Sequence, residues 1–452
     1  MISFQGETKL EVETIPASAR SSRFRLGETP RQAGMLFSAH TLSMGAGLLT
    51  SLIFGRWMEP AEAGRFAFCL SIVLILDLVI EFGFFPAGAR MLALSKDEST
   101  ERRALGALVV IAVLVGASLA LFITSLAVPI DLVFKKDVRW LLVAVAGFAF
   151  FRPFQTLVEQ SCQGLNQIRR LSIFQLLMAS LYLLMLVGLA FTNRLTAGTA
   201  LAAYLTGIGL ASAWALSGLR PRFDDLSRHI KITLKESRGY GANVYLARLS
   251  GAAVTQCDNL VITYFAGLAP LGLYAQAQRL SNPISTISRT LAITRFRAFS
   301  KVNSIPKRIT RWNAVVLVVL SIGLALVGPF VLRFLFPKYS EASNLLLPFA
   351  VYSLFTGLYQ PYNMFLASHG RGAEIRNIAV IVSIVTLAGL FVTVPQFGAI
   401  GAAWTGAAAM ALDYLLHLHY YQKFKKVLRP PVAGVPELEQ QIIGDQNDKG
   451  ID

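Results

Sequence analysis

Runs of about 20 consecutive apolar residues recur along nearly the whole chain, each long enough to cross roughly 30 Å of hydrocarbon at about 1.5 Å per residue. They fall at about 33–54, 66–88, 104–128, 140–162, 172–192, 196–217, 241–266, 272–295, 312–336, 342–367, 376–396 and 398–420. The composition agrees. Of 452 residues, 54% are hydrophobic and only 15% charged, with a mean hydropathy of +0.55, far too oily for a soluble protein. The expected fold class is an all-α integral membrane protein with about twelve transmembrane helices.

An even number of spans puts both ends on one side. Most of the 42 Lys and Arg lie in the two tails and in the loops on their side, and basic loops stay inside. Both termini are therefore expected in the cytoplasm. The same asymmetry accounts for most of the net charge of +16. Basic residues spread over many separate segments do not form one nucleic-acid surface, so no nucleic-acid partner is expected. The polar start of the chain mixes charge signs and precedes an apolar run long enough to span, unlike a signal peptide. Cys69, Cys162 and Cys257 all fall within spans, which implies no disulfide framework.

The longest connection, residues 218–240, reads "GLRPRFDDLSRHIKITLKESRGY" and separates the sixth span from the seventh. It divides the chain into a tail (1–32), a first six-helix bundle (33–217), a cytoplasmic linker (218–240), a second six-helix bundle (241–420) and a C-terminal tail (421–452). Beyond Arg429 that tail is polar, mostly acidic and reads as disordered. Because six is even, the halves enter the membrane in the same orientation, as in transporters built from parallel repeats. A faint internal echo fits this: "FGRWMEPAEAGRFAF" follows the first span and "FAGLAPLGLYAQ" the seventh.

Several short patterns resemble a known family. "GRWMEPAEAGRFAF" resembles its first outside turn, with Glu59 where a Gly is usual. "DNLVITYFAGLAPLGLYAQAQRL" resembles its seventh span and turn, "FPKYSEASNLLLPFA" the turn after its ninth span, and "FGAIGAAWTGAAAM" the small-residue opening of its twelfth. By their order and spacing over residues 33 to 420, the chain resembles the Wzx-type polysaccharide flippases of the multidrug/oligosaccharidyl-lipid/polysaccharide exporter superfamily. The resemblance implies two bundles in a V around a central cavity that opens alternately to each side. It also implies flipping of undecaprenyl-pyrophosphate-linked oligosaccharides in the bacterial inner membrane, for capsule, exopolysaccharide or O-antigen synthesis. The partners implied are that lipid-linked substrate, membrane lipids, and polysaccharide polymerase and chain-length proteins.

A lipid-linked sugar pairs an apolar tail with an anionic head, so its carrier needs a hydrated cavity and a cationic patch. Ionisable residues in spans cost about 2.5–3.5 kcal/mol each at a helix centre, and so mark such sites. Asp258 and Arg279 each lie about ten residues from the turn between the seventh and eighth spans, which puts them at one depth. They are expected to pair, either as a lock between helices or as part of ion coupling. Arg248 and Arg289 lie about twenty residues from the same turn, level with each other, and are the first candidates for the pyrophosphate, since guanidinium grips phosphate oxygens bidentately. Arg152 and Arg279 are further cavity cations. Asp77 and Glu81, four apart on one helix face, and Glu159, two turns beyond Arg152, are candidates for ion coupling or structural pairing. Asp413 and His417 repeat the four-residue spacing near the cytoplasmic interface. Pro153, Pro283, Pro329 and Pro361 are candidate bending points.

Two other classes compete. Ion-coupled multidrug efflux would use acidic cavity residues for cationic drugs. A polytopic glycosyltransferase or polymerase would need a large external loop, and the longest outside loops are only about 129–139 and 337–341. "FDD" at Phe223 to Asp225 sits in the linker, and no Walker-type GxxxxGK[ST] occurs. No catalytic residue, metal site or cofactor is expected.

Overall fold

Proline, glycine and capping residues decide where the helices of this computed structural model begin and end. The structure describes residues 28–95, 97–241, 245, 254–295, 299–300 and 302–427. The polar start of the chain, the C-terminal tail and Arg248 lie outside these residues. Helix α1 (Glu28–Trp57) is followed by α2 (Pro60–Glu81), started by Pro60 at its first turn, where a fixed φ and a missing N–H cost nothing. Phe82 and Gly83 then take left-handed φ values of 45° and 72°. They break the second predicted span and restart it as α3 (Phe84–Leu94).

Helix α4 (Glu98–Phe134) is capped by Asp97, whose carboxylate accepts the Thr100 N–H at 2.9 Å. The fourth predicted span is also broken, into α5 (Arg139–Ala149) and α6 (Arg152–Gly164), with Pro153 in the first turn of α6. Pro153 thus opens a helix where a bend within one was expected. Helices α7 (Ile168–Phe191) and α8 (Ala197–Leu219) complete the first half, α8 starting at a capping box of Thr196 and Thr199. The linker holds α9 (Leu226–Glu236) and a π-helical turn at Ser237–Gly241.

The second half contains α10 (Val254–Phe265), α11 (Leu268–Thr294), α12 (Lys307–Leu335), a 3-10 turn at Pro337–Ala342, α13 (Ser343–Ser368) and α14 (Gly372–Val427). Pro283, Pro329 and Pro361 lie inside α11, α12 and α13. Helix α14 reverses at Gly398, whose φ is 57° and ψ −138°. The Thr393 and Thr405 hydroxyls meet at 2.8 Å across the reversal, so its two arms form a hairpin over the eleventh and twelfth predicted spans.

Among the described residues there is no strand, and eight helical segments are long and apolar enough to cross a membrane. Of the twelve expected spans, the eleventh and twelfth count once as the α14 hairpin, the first and seventh are described only in part, and α11 is of spanning length but interrupted by polar residues. On α12, Val315, Val319, Ile322, Leu326, Phe330 and Phe334 are exposed, an apolar surface whose natural solvent is lipid. The protein is a multi-pass membrane protein.

One hydrophobic core crosses both halves, joining Phe54 and Phe68 to Leu271, Phe336 and Phe349, while a second, around Phe85, Leu105, Leu157 and Phe174, belongs to the first half alone. The halves meet most closely where α2 packs on α11. A Cβ on Gly64 would lie 1.8 Å from the Leu268 carbonyl oxygen, and one on Gly272 would lie 1.8 Å from that of Pro60. Only glycine permits this approach. The two echoing turns of the sequence are thus in contact with each other. Around them, the Gln276 amide donates to the Ser51 carbonyl at 3.1 Å and hydroxyl at 2.9 Å. The Tyr339 hydroxyl donates to the Met58 carbonyl at 3.3 Å, and Lys338 pairs with Glu59 at 2.7 Å. The halves are sealed at the end opposite the basic linker.

Candidate functional site

Two buried polar sites flank this seam. In the first half, α2 carries Asp77 and Glu81, which are 4% and 2% exposed. The break between α5 and α6 turns Arg152 toward them, and its Nε stands 3.6 Å from Asp77 Oδ2. Glu81, Glu159 and the Tyr204 hydroxyl are within electrostatic reach of the same guanidinium. Glu159 accepts a hydrogen bond from Gln155 at 3.0 Å. The structure therefore brings Asp77, Glu81, Arg152 and Glu159 into one cluster, with three carboxylates around one arginine.

In the second half, a cavity of about 330 Å³ opens between α10, α11, α13 and α14. Asp258, Tyr274, Gln278, Tyr352, Asp413 and His417 contribute its polar lining. Asp258 Oδ2 accepts the Tyr274 hydroxyl at 2.8 Å, and its Oδ1 accepts the Asn259 N–H at 2.8 Å. His417 Nδ1 lies 2.9 Å from Asp413 Oδ1, and its ring stacks on Tyr359 with centroids 5.0 Å apart. Both are buried, 8% and 3% exposed, because α13 covers that face of α14.

The expected ion pair between Asp258 and Arg279 does not form. Arg279 lies on the other side of α11, its guanidinium 4.3 Å from the Phe54 ring and 5.7 Å from the Phe66 ring of the first half. Counting from the turn gave a common depth but not a common direction. Tyr274 and Gln278, four apart, share the cavity face of α11, whereas five residues from Tyr274 to Arg279 turn the helix by about 140° away from it. Among the described residues no carboxylate pairs with Arg279 within ion-pair distance, and its Nη1 is buried without a hydrogen bond. The Tyr182 and Tyr339 hydroxyls are within its electrostatic reach. Arg279 therefore sits as a cation on the seam, held by aromatic faces.

Arg289 is exposed on α11, near Tyr359. Its expected companion Arg248 lies outside the described residues. The tyrosines were not singled out in the sequence. Their signal was Tyr352, Tyr359 and Asn363 at one helical face of α13, a polar stripe that hydropathy alone absorbs as aromatic membrane helix. The seam adds polar contacts of its own: Ser71 of α2 hydrogen-bonds Gln256 at 3.0 Å and Asn259 at 2.8 Å, both on α10.

With this geometry in place, comparison with known proteins gives a family. The model of the family described as "polysaccharide biosynthesis protein" matches residues 31–292. The chain belongs to that family. No curated protein matches it. Among solved structures, the lipid II flippase MurJ in an inward closed conformation superposes with a TM-score of 0.70 at 12% identity, over 86% of this chain and 90% of that one. An inward-facing multidrug resistance MATE family transporter of the MOP superfamily gives 0.68 at 15%, over 88% and 100%. A MOP superfamily transporter from Pyrococcus furiosus gives 0.60 at 15%, over 87% and 96%. At these identities the likeness is one of fold. It agrees with the exporter superfamily that the sequence motifs resemble.

Proposed function

We propose that this protein is a flippase that carries undecaprenyl-pyrophosphate-linked oligosaccharide units across the bacterial inner membrane by alternating access, coupled to an ion gradient. The observation that carries the reading is Arg279, a guanidinium on the seam between the halves with no carboxylate against it among the described residues. A cation so placed suits an anionic headgroup that enters when the halves part, and aromatic faces hold it without neutralising it. Asp258 and Tyr274, with Asp413 and His417, form a separate acidic site suited to the coupling ion. Family membership and the shared fold support transport of a polysaccharide precursor. In this reading both termini are cytoplasmic, the sealed end faces outward, and polymerase and chain-length proteins act on the delivered units.

Efflux of cationic drugs is the second reading, favoured by the aromatic and acidic lining of the second-half cavity. A deletion strain complemented with wild type, Arg279→Ala or Arg279→Lys separates the two. Flipping predicts that the deletion and the Ala variant accumulate lipid-linked oligosaccharide on the cytoplasmic face, with partial rescue by Lys, which offers a point charge without the bidentate fork. Changed drug susceptibility with no accumulated oligosaccharide would overturn the flippase in favour of efflux.

A further inference from the structure

The linker helix α9 has two unlike faces. His229 and Thr233 are buried, 8% and 0% exposed, where α9 packs on α3 and α4. Arg228, Lys231, Lys235 and, just beyond the helix, Arg238 are all exposed. Among these cations Ile232 and Leu234 are also exposed, at 42% and 38%. The nearby acids are largely engaged elsewhere: Glu236 pairs with Arg90, and Asp224 with Arg103 at 2.7 Å. Apart from Asp225 and Ser227 at its start, the outward face of α9 is cationic and aliphatic.

The helix is pinned at both ends, to the start of the apolar run of α4 and to the Phe82–Gly83 turn. Before it, the Arg222 N–H donates to the Arg102 carbonyl at 2.8 Å. The Arg222 carbonyl lies so close to α4 that a Cβ on Gly106 would be 1.8 Å from its oxygen. The apolar run of α4 begins at about residue 104. After α9, the Ser237 hydroxyl donates to the Phe82 carbonyl at 2.8 Å, and Gly241 meets Gly83, where a Cβ would lie 2.3 Å from the Gly241 oxygen. The linker thus packs against the start of the apolar run of α4 and against the Phe82–Gly83 turn of the first half.

We propose that the outward face of α9, with Arg238, binds the headgroups of anionic phospholipids in the leaflet it lies against, while Ile232 and Leu234 enter the boundary of the acyl chains. Charge complementarity and position select this occupant. An acidic leaflet attracts each Lys or Arg held within a Debye length by about a fivefold gain in binding. Cations interleaved with aliphatic side chains match an interface that is charged at its surface and apolar just below. The proposal stands independently of the transported substrate.

The test uses the full chain carrying Ile232→Cys or Leu234→Cys, spin-labelled and reconstituted into phosphatidylcholine vesicles with or without phosphatidylglycerol. The unsubstituted protein serves as labelling control, since Cys69 and Cys162 are buried and Cys257 half-buried. In phosphatidylglycerol vesicles the label should gain accessibility to oxygen and lose accessibility to a water-soluble nickel chelate. The shift should reverse in high salt. Changing Arg228, Lys231, Lys235 and Arg238 together to Gln should weaken lipid binding by roughly two to three orders of magnitude, and abolish the shift while leaving the thermal midpoint unchanged. Equal accessibility in both vesicles, or a shift retained by the Gln variant, would overturn the proposal. Protection by soluble polyaspartate on phosphatidylcholine vesicles, with none from phosphatidylglycerol, would do so too and would point to an acidic protein.

Discussion

Replacing Gly272 by Ala tests whether the seam between the halves depends on backbone contact. The added Cβ would lie 1.8 Å from the Pro60 carbonyl oxygen, and an ordinary contact of about 3.4 Å requires α2 and α11 to separate by roughly 1.6 Å. Such a shift stretches the two Gln276 bonds to Ser51 and the bond from Tyr339 to Met58. Interhelical hydrogen bonds in membranes average about 0.6 kcal/mol, and overpacking costs about 1–3 kcal/mol. Together they disfavour the sealed state by about 3–5 kcal/mol, a shift of roughly 100- to 5000-fold in its population. The assay is labelling of Ser51→Cys by a membrane-impermeant maleimide added from outside. Ser51 is 1% exposed, so it should be protected with Gly272 present and labelled quickly with Gly272→Ala. Gly47→Ala, where an added Cβ has nothing within 4 Å, is the silent control. Unchanged protection of Ser51→Cys in the Gly272→Ala protein would refute the reasoning.

Two further predictions concern electrostatics. Arg152→Ala removes the counter-charge from buried Asp77 and should destabilise the protein by about 3–5 kcal/mol, the usual cost of breaking a buried pair. Thermal unfolding in detergent should show a large drop for Arg152→Ala and recovery in Arg152→Ala with Asp77→Asn, whereas equal midpoints for wild type and Arg152→Ala would remove the pair from the structure's energetics. Hydrogen bonds from the Ser99 hydroxyl, then the Thr100 N–H and hydroxyl, hold the Asp97 carboxyl down at about 2 from its ordinary 3.8. Because the folded value is depressed, the cap's contribution is complete above 3.8 and is lost as pH falls toward about 2. Hydrogen exchange of the first turn of α4 should be faster in Asp97→Ala at neutral pH, and the difference from wild type should vanish in strong acid.

Several features were legible in the sequence because they are one-dimensional. Hydropathy measures depth, so it gave the membrane class, and counting from the turn set Asp258 and Arg279 at equal distances from it without saying which way either faces. Asp77, Glu81, Arg152 and Glu159 were each legible as charges within apolar runs, but their gathering into one cluster came from the break between α5 and α6 that turns Arg152 toward Asp77. The breaks at Phe82–Gly83 and Phe150–Phe151 were hidden, because an apolar run continues through them unchanged. Direction around a helix axis was hidden as well. On α11 the polar residues Gln276, Gln278, Arg279, Ser281 and Asn282 are spread around the axis, so no single polar face fixes its rotation, and nothing in the order of residues told Tyr274 to face Asp258 and Arg279 to face Phe54. Packing decided that: Gly64 and Gly272 let α2 and α11 touch backbone to backbone, and this contact turned one face of α11 to the second-half cavity and the other to the seam.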